Sequence, residues 1–218
     1  MLGKMIELPL FPLNTVLFPG MPLPLHIFEE RYQEMIRLCL AEKRPFGVVL
    51  IREGEAEHDP QAEPYAIGCT ADIIQVQKLE DDRLFIMTVG QDRFRIHSLD
   101  RARPYLVGQV ELLPLANEPA DQLQAASARL HPLVLEYLKV LAEVGRVEFD
   151  PEQIPTDPDE LGFLAASFIQ LPTDEKQELL EAETATELFQ NLQYLYREEV
   201  AIMRTMPRVD DVGLFSMN

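Results

Sequence analysis

"LPLFPLNTVLFPGMPLPLHIFEERYQEMI", residues 8–36, sets five prolines (Pro9, Pro12, Pro19, Pro22 and Pro24) among Leu, Phe, Val and Met. Three readings compete: a targeting segment, a solvated proline-rich ligand, or the opening of a fold. A secretory leader needs a basic start and an unbroken apolar run of roughly 7 to 15 residues. Here a single early lysine, Lys4, precedes prolines that interrupt every run. Pro9-x-x-Pro12 fits a polyproline II ligand, but such a ligand would leave Leu8, Leu10, Phe11, Leu13, Val16, Leu17 and Phe18 in water as one apolar patch. Burying these side chains is worth on the order of 10 to 20 kcal/mol gross, at roughly 1.5 to 3 kcal/mol each. Burial wins, and the stretch opens a fold.

Position then explains the prolines. Met21, Leu23, Leu25 and Ile27 alternate with Pro22, Pro24 and His26, a period of two that puts both prolines on one face of a strand. Proline in a strand is confined to edges, starts and bulges, so short edge-type strands are expected, with turns at Asn14-Thr15 and Pro19-Gly20. "EERYQEMIRLCLAEK" then shifts to helical spacing through Tyr32, Met35, Ile36, Cys39 and Leu40, with Glu29 and Glu30 at the end where acids favour the helix dipole.

Beyond this helix the fully apolar "FGVVLI" (46–51) reads as a strand and "REGEAEHDPQAEP" as a polar loop. Further strands are expected at 66–79, 83–90, 92–99 and 105–113, with hairpin turns at "EDD" (80–82) and at Gly90-Gln91. Sustained helical periodicity starts near residue 120. "DQLQAASARLHPLVLEYLKVLAEVG" carries Leu123, Leu130, Val134, Tyr137, Leu138 and Leu141 on one stripe and ends at Gly145, with Pro132 distorting the helix or marking its start. "LGFLAASFIQL", "TDEKQELLEA" and "TATELFQNLQYLYREEVAIMRTM" follow as helices, and Thr184 with Glu187 forms a capping box for the last. Strands first and helices after is an α+β pattern, divided here into a β subdomain over 1–117 and an α-helical subdomain over 118–218.

Composition bounds the function. A chain of 218 residues buries roughly 70% of its unfolded surface and needs no staple. Its apolar runs stop short of the roughly 18 residues that cross a bilayer, so no membrane span is expected. Cys39 and Cys69 stand alone in apolar surroundings, which reads as buried free thiols in a reducing cytoplasm. The net charge of −18 is uneven: residues 1–115 hold 17 acids against 12 bases, and residues 116–218 hold 20 against 7. Such a surface repels phosphate backbones and argues against nucleic acid.

Catalytic and metal chemistry are not written in the sequence. The only Gly-Lys pair, Gly3-Lys4, is followed by Met5 and cannot form a phosphate-binding loop. Ser98, Ser127, Ser167 and Ser216 lie outside any GxSxG, and His26, His58, His97 and His131 lack HxH or HExxH spacing. His58-Asp59 reads as a solvated loop, and Glu29-Glu30 do not face each other on a helix. Arg93 and Arg95 alternate with Phe94 and Ile96, a pattern read as a strand with its apolar side buried rather than as a basic-aromatic RNA surface. No catalytic residue, cofactor or metal ligand is therefore assigned. Met203 and Met206, beside Ile202, are the candidate protein-binding residues, since methionine forms adaptable surfaces.

The opening stretch, "AIGCTADI", "GQDRFRI", "YLVGQVELL" and "LPTDEKQELLEAETATELFQNL" together resemble the N-terminal substrate-binding domain of the ATP-dependent Lon protease, a family also found in standalone form and in cereblon. The resemblance spans nearly the whole chain. It implies a PUA-like mixed β pseudo-barrel followed by a C-terminal helical bundle, with the prolines in the edge strands and turns that start the barrel. It also implies a docking module for damaged or unfolded protein, since in the protease ATP hydrolysis and Ser-Lys peptide cleavage lie in later domains, outside the part that this sequence resembles. The expected partner is therefore a protein or unfolded polypeptide, held in a groove between barrel and helices, with a homo-oligomer compatible. The alternatives are a small-ligand or enzymatic protein using that cleft, and RNA binding by analogy with PUA modules.

Overall fold

The computed structural model describes residues 5–54, 62–81, 83–143 and 148–205. His58, Asp82, Gly145, Met206 and Ser216 lie outside the described residues. In order, the elements are β1 (Met5–Leu13), β2 (Pro22–Ile27), α1 (Glu30–Glu42), β3 (Phe46–Glu53), β4 (Glu63–Pro64), β5 (Ile67–Lys78), β6 (Leu84–Asp100) and β7 (Leu106–Leu112). Four α-helices follow among the described residues: α2 (Ala120–Glu143), α3 (Pro158–Phe168), α4 (Thr173–Glu181) and α5 (Ala185–Thr205). The chain forms two compact units. One takes Met1–Leu115 with Ala166–Glu181, and the other takes Ala116–Ala165 with Ala182–Asn218.

In the first unit the strands run in the order β1-β7-β6-β5-β3-β4, with β2 added on β6. A parallel pairing of β1 with β3, Leu10 to Gly47 through Leu13 to Leu50, brings the first strand of this path back onto β3 and makes a partly closed, mixed pseudo-barrel. β1 is longer than the short edge strand expected from its prolines, because it changes partner along its length. Met5 to Leu10 pair with β7 and Leu10 to Leu13 with β3, so Pro9 and Pro12 each have a neighbour on one side only. A residue without an N–H fits where one side of the strand is open.

Side-chain alternation sends the strands' two faces into two cores. Leu8, Leu10, Val49, Phe94, Leu106 and Val110 form one cluster. Phe11, Phe46, Val48, Cys69, Ala71, Ile86 and Val107 form the other, together with Tyr32, Met35, Ile36 and Cys39 of α1. β3 is apolar without alternation because it lies between the two. Leu40, read as part of the helical stripe, is instead exposed. Both cysteines are free and buried.

One expected hairpin does not exist. Residues 84–100 form a single strand, and Gly90-Gln91 is no turn. A register shift opposite Cys69 and Ala71 lets β6 bend instead. Gly90 serves a close approach: its N–H donates to the Met21 carbonyl at 3.0 Å, and its carbonyl accepts from Gly20 N–H at 2.9 Å. The turn glycine is Gly20, at φ +78°. At the far end of the bend Arg93 is buried beside Phe94, contrary to the alternation expected there. Its guanidinium donates to the Leu180 carbonyl at 2.6 Å, and a cation at the last turn of α4 meets the negative end of the helix dipole. Gln177 of α4 donates to the Ile67 carbonyl at 3.0 Å, which fastens the same helix to β5.

In the second unit α2 runs unbroken through Pro132, which marks neither its start nor its end, and buries Ala126, Leu130, Val134, Tyr137, Leu138 and Leu141. α5 answers with Leu188, Phe189, Leu192, Tyr196 and Val200. Tyr137 and Tyr196 meet edge to face at 5.1 Å, and the Tyr196 hydroxyl donates to the Ala165 carbonyl at 2.8 Å. The capping box is present in modified form. Thr184 Oγ1 accepts from Glu187 N–H at 3.0 Å, while the Glu187 carboxylate reaches back to Glu183 N–H at 2.8 Å.

Three outcomes follow from this packing. A Cβ at Gly90 would sit 2.2 Å from the Phe18 carbonyl oxygen, so Gly90→Ala must displace backbone and should cost about 3 kcal/mol or more in chemical denaturation. Burial pushes the Cys39 thiol up to about 11 and the Cys69 thiol up to about 12, from an ordinary 9.0. Because these folded-state values are raised, the stability is full below pH 9.0 and falls as pH climbs toward 11 to 12. Both thiols should also resist a thiol-specific reagent at neutral pH until denaturant is added.

Candidate functional site

β6 is central to a three-stranded extension of the barrel, and its register assigns every neighbour to a face. β2 pairs with it as Leu23 to Thr88, Leu25 to Ile86 and Ile27 to Leu84, and β5 as Ile73 to Thr88 and Val76 to Ile86. On this side Ile27, Leu84, Ile86 and Thr88 are buried, and Thr88 Oγ1 donates to the Leu23 carbonyl at 2.9 Å. The opposite side carries Pro22, Val89 and Asp72 in one row, Pro24, Met87 and Gln75 in the next, and His26, Phe85 and Gln77 in the third.

That second side faces water. Pro22, Pro24, His26, Gln75 and Gln77 are exposed, while Phe85, Met87 and Val89 are partly buried. An antiparallel sheet with one solvated face normally alternates apolar-in with polar-out. β6 breaks the rule at three successive outward positions, Phe85, Met87 and Val89. They lie between two rigid proline rings and two glutamines, with Phe28 exposed near the end of β2 and its ring 5.8 Å from that of His26. An apolar patch with a polar rim on an otherwise acidic molecule is the kind of surface that marks an interaction site. Its chemistry is shape and apolar contact, with methionine supplying adaptability.

Among the described residues, several other groups weighed in the sequence have local partners. His97 Nε2 lies 3.0 Å from Glu111 Oε2, and His131 Nε2 lies 3.2 Å from the Ile154 carbonyl. Ser127 is buried and donates to the Thr156 carbonyl at 2.7 Å. Glu29 pairs with Arg31 at 2.9 Å, while Glu30 occupies the first turn of α1. Among the described residues no three His, Cys, Asp or Glu side chains gather as metal ligands, and no helix is long and apolar enough to cross a membrane. Met203 is half-buried in the last turn of α5, three residues past Val200 and in line with that helix's buried stripe.

The sheet face was missed in the sequence although its components were visible. "LFIMTV" (84–89) is apolar at five of six positions, more than a strand with one wet face requires. Which of its two sides met the core could not be read without the register.

The fold and face together define a class: an α+β protein with a PUA-like mixed β pseudo-barrel and a C-terminal helical region. The comparisons make that class specific. Residues 7–196 match the ATP-dependent protease La (LON) substrate-binding domain, and the chain belongs to this family. It is 28% identical over 176 residues to the Lon protease of Anaeromyxobacter dehalogenans, covering 80% of this chain and 21% of that protein. With the Lon protease of Koribacter versatilis it shares 32% identity over 181 residues, covering 80% of this chain and 22% of that protein. The chain thus spans about a fifth of the length of these curated relatives. The crystal structure of a Lon N-terminal domain protein from Xanthomonas campestris superposes with a TM-score of 0.65 at 23% identity, over 93% of this chain and 99% of that one. The N-terminal domain of the Mycobacterium avium complex Lon protease gives 0.65 at 21% identity, over 88% and 99%. At these identities the two structures speak for the fold alone.

Proposed function

We propose that this chain is a non-catalytic module that recognises extended or unfolded polypeptide, and that it does so through the outer face of β2, β6 and β5. The observation that carries the reading is the run of apolar side chains, Phe85, Met87 and Val89, on the water-facing side of a central strand. Membership of a substrate-binding domain family supports the same role. An unfolded segment differs from a folded surface in offering uncovered apolar side chains, and a flat face of prolines, methionine and phenylalanine takes such side chains without demanding one sequence. The glutamines at the rim add hydrogen bonds to a passing backbone. The net charge of −18 disfavours nucleic acid and favours basic segments in the encounter, but apolar contact supplies the affinity.

A fluorescently labelled, permanently unfolded polypeptide should bind saturably in an anisotropy titration, and binding should survive high salt. The double variant Met87→Gln, Val89→Thr keeps side-chain size while making the face polar. It should weaken binding by about tenfold, the effect of losing about 1.4 kcal/mol, with the unfolding midpoint nearly unchanged. Binding that the variant leaves intact would remove this face from the reading, and no binding by the native chain would remove unfolded-chain capture altogether.

A further inference from the structure

The sheet extension has two outer edges, and they are built differently. On β2 the edge carries Pro22 and Pro24, which offer no N–H to an incoming strand. On β5 the pairing with β3 ends at Ala71, and from Asp72 to Lys78 the strand is bonded to β6 on one side only. Among the described residues nothing pairs with its other side. The exposed edge reads Asp72-Ile-Ile-Gln-Val-Gln-Lys78, with no proline, no charge in its interior, and Ile74 61% and Val76 39% exposed. Native edges are usually blunted by proline or an interior charge. This one keeps a single bulge, where Ile73 pairs with Thr88 and Gln75 with Met87 and Ile74 is the extra residue.

We infer that this edge pairs with the same edge of a second copy of the chain, antiparallel about a two-fold axis at Gln75. The segment is self-complementary in that arrangement. Reversal brings the acidic end at Asp72 of one copy alongside the basic end at Lys78 of the other, whereas parallel pairing would join like charges. Counted residue by residue from that axis, Asp72 faces Lys78, Ile73 faces Gln77 and Ile74 faces Val76 of the mate, so the Ile74–Val76 contact is made twice. A perpendicular two-fold keeps equivalent faces on one side. The six-stranded sheet β2-β6-β5 with its symmetry mate would therefore carry two copies of the Phe85, Met87 and Val89 surface next to each other. Pairing through the edge is independent of what that surface binds.

A single strand pair buries less than the roughly 1,200 Å² typical of stable complexes, and two chains of net charge −18 repel each other. The dimer is therefore weak and strengthens as salt screens that repulsion. Sedimentation velocity from micromolar to near-millimolar concentration should show a monomer shifting toward dimer, more so at high salt. Ile74→Lys, at a site exposed enough to accept it without unfolding, should raise the dimer dissociation constant at least tenfold. Gln75→Cys, on the axis, should oxidise to a covalent dimer, whereas Asp81→Cys in the adjoining turn should not. A chain that stays monomeric throughout, or a dimer that Ile74→Lys leaves intact and Gln75→Cys fails to trap, overturns the inference. So does an edge that takes up an added peptide strand while the protein remains monomeric.

Discussion

Phe94 lies in a space that exists only because glycine stands at Gly47 and Gly68, and the closure of the barrel depends on it. A Cβ at Gly47 would come within 2.6 Å of the Phe94 ring and 2.7 Å of Leu10, and one at Gly68 within 2.7 Å of the same ring and 2.5 Å of the Val48 carbonyl oxygen. With these positions bare, one aromatic ring fills the middle of a small barrel, and β1, β3, β5 and β6 approach closely enough for the β1–β3 pairing to form. Interiors at this density accept no added atom without strain. Large and small residues must therefore interlock across the barrel.

From that closure follows the two-sidedness of the strands. Once the barrel interior is filled by Leu8, Leu10, Val49 and Phe94, the opposite faces of the same strands need cover, and α1 supplies it with Tyr32, Met35, Ile36 and Cys39. The extension formed by β2, β6 and β5 is covered on the α1 side and, among the described residues, left open on the other. Its apolar outer face is thus a property of where the cover stops. The two edges of the extension show the same economy: prolines protect one, and the other remains available for pairing.

Much of this was legible in one dimension. The alternation of Met21 to Ile27 with Pro22, Pro24 and His26 is reproduced by β2 in register with β6, because a strand with one face buried announces its period. The helical stripes and the Thr184–Glu187 cap were equally plain, since each is a local pattern. The misread positions fail for a common reason. Gly90 looked like a turn, and Arg93 like a solvated side chain, because their roles are fixed by Phe18 and Leu180, distant in sequence. A glycine that permits a turn and a glycine that permits an approach look identical in a string of letters.

The division is a physical one. Local chemistry, namely side-chain size, proline's missing N–H and the spacing of apolar residues, determined which segments became strands or helices, and the resemblance carried by the proline-spaced opening pointed to the family. Tertiary structure alone decided that β1 would bridge β7 and β3, that Met87 would face water while Ile86 faced the core, and that β5 would outrun its partner at Ala71. Those outcomes depend on register and on where a covering element ends. Both are set by the free energy of the whole packed unit, and no short segment encodes them.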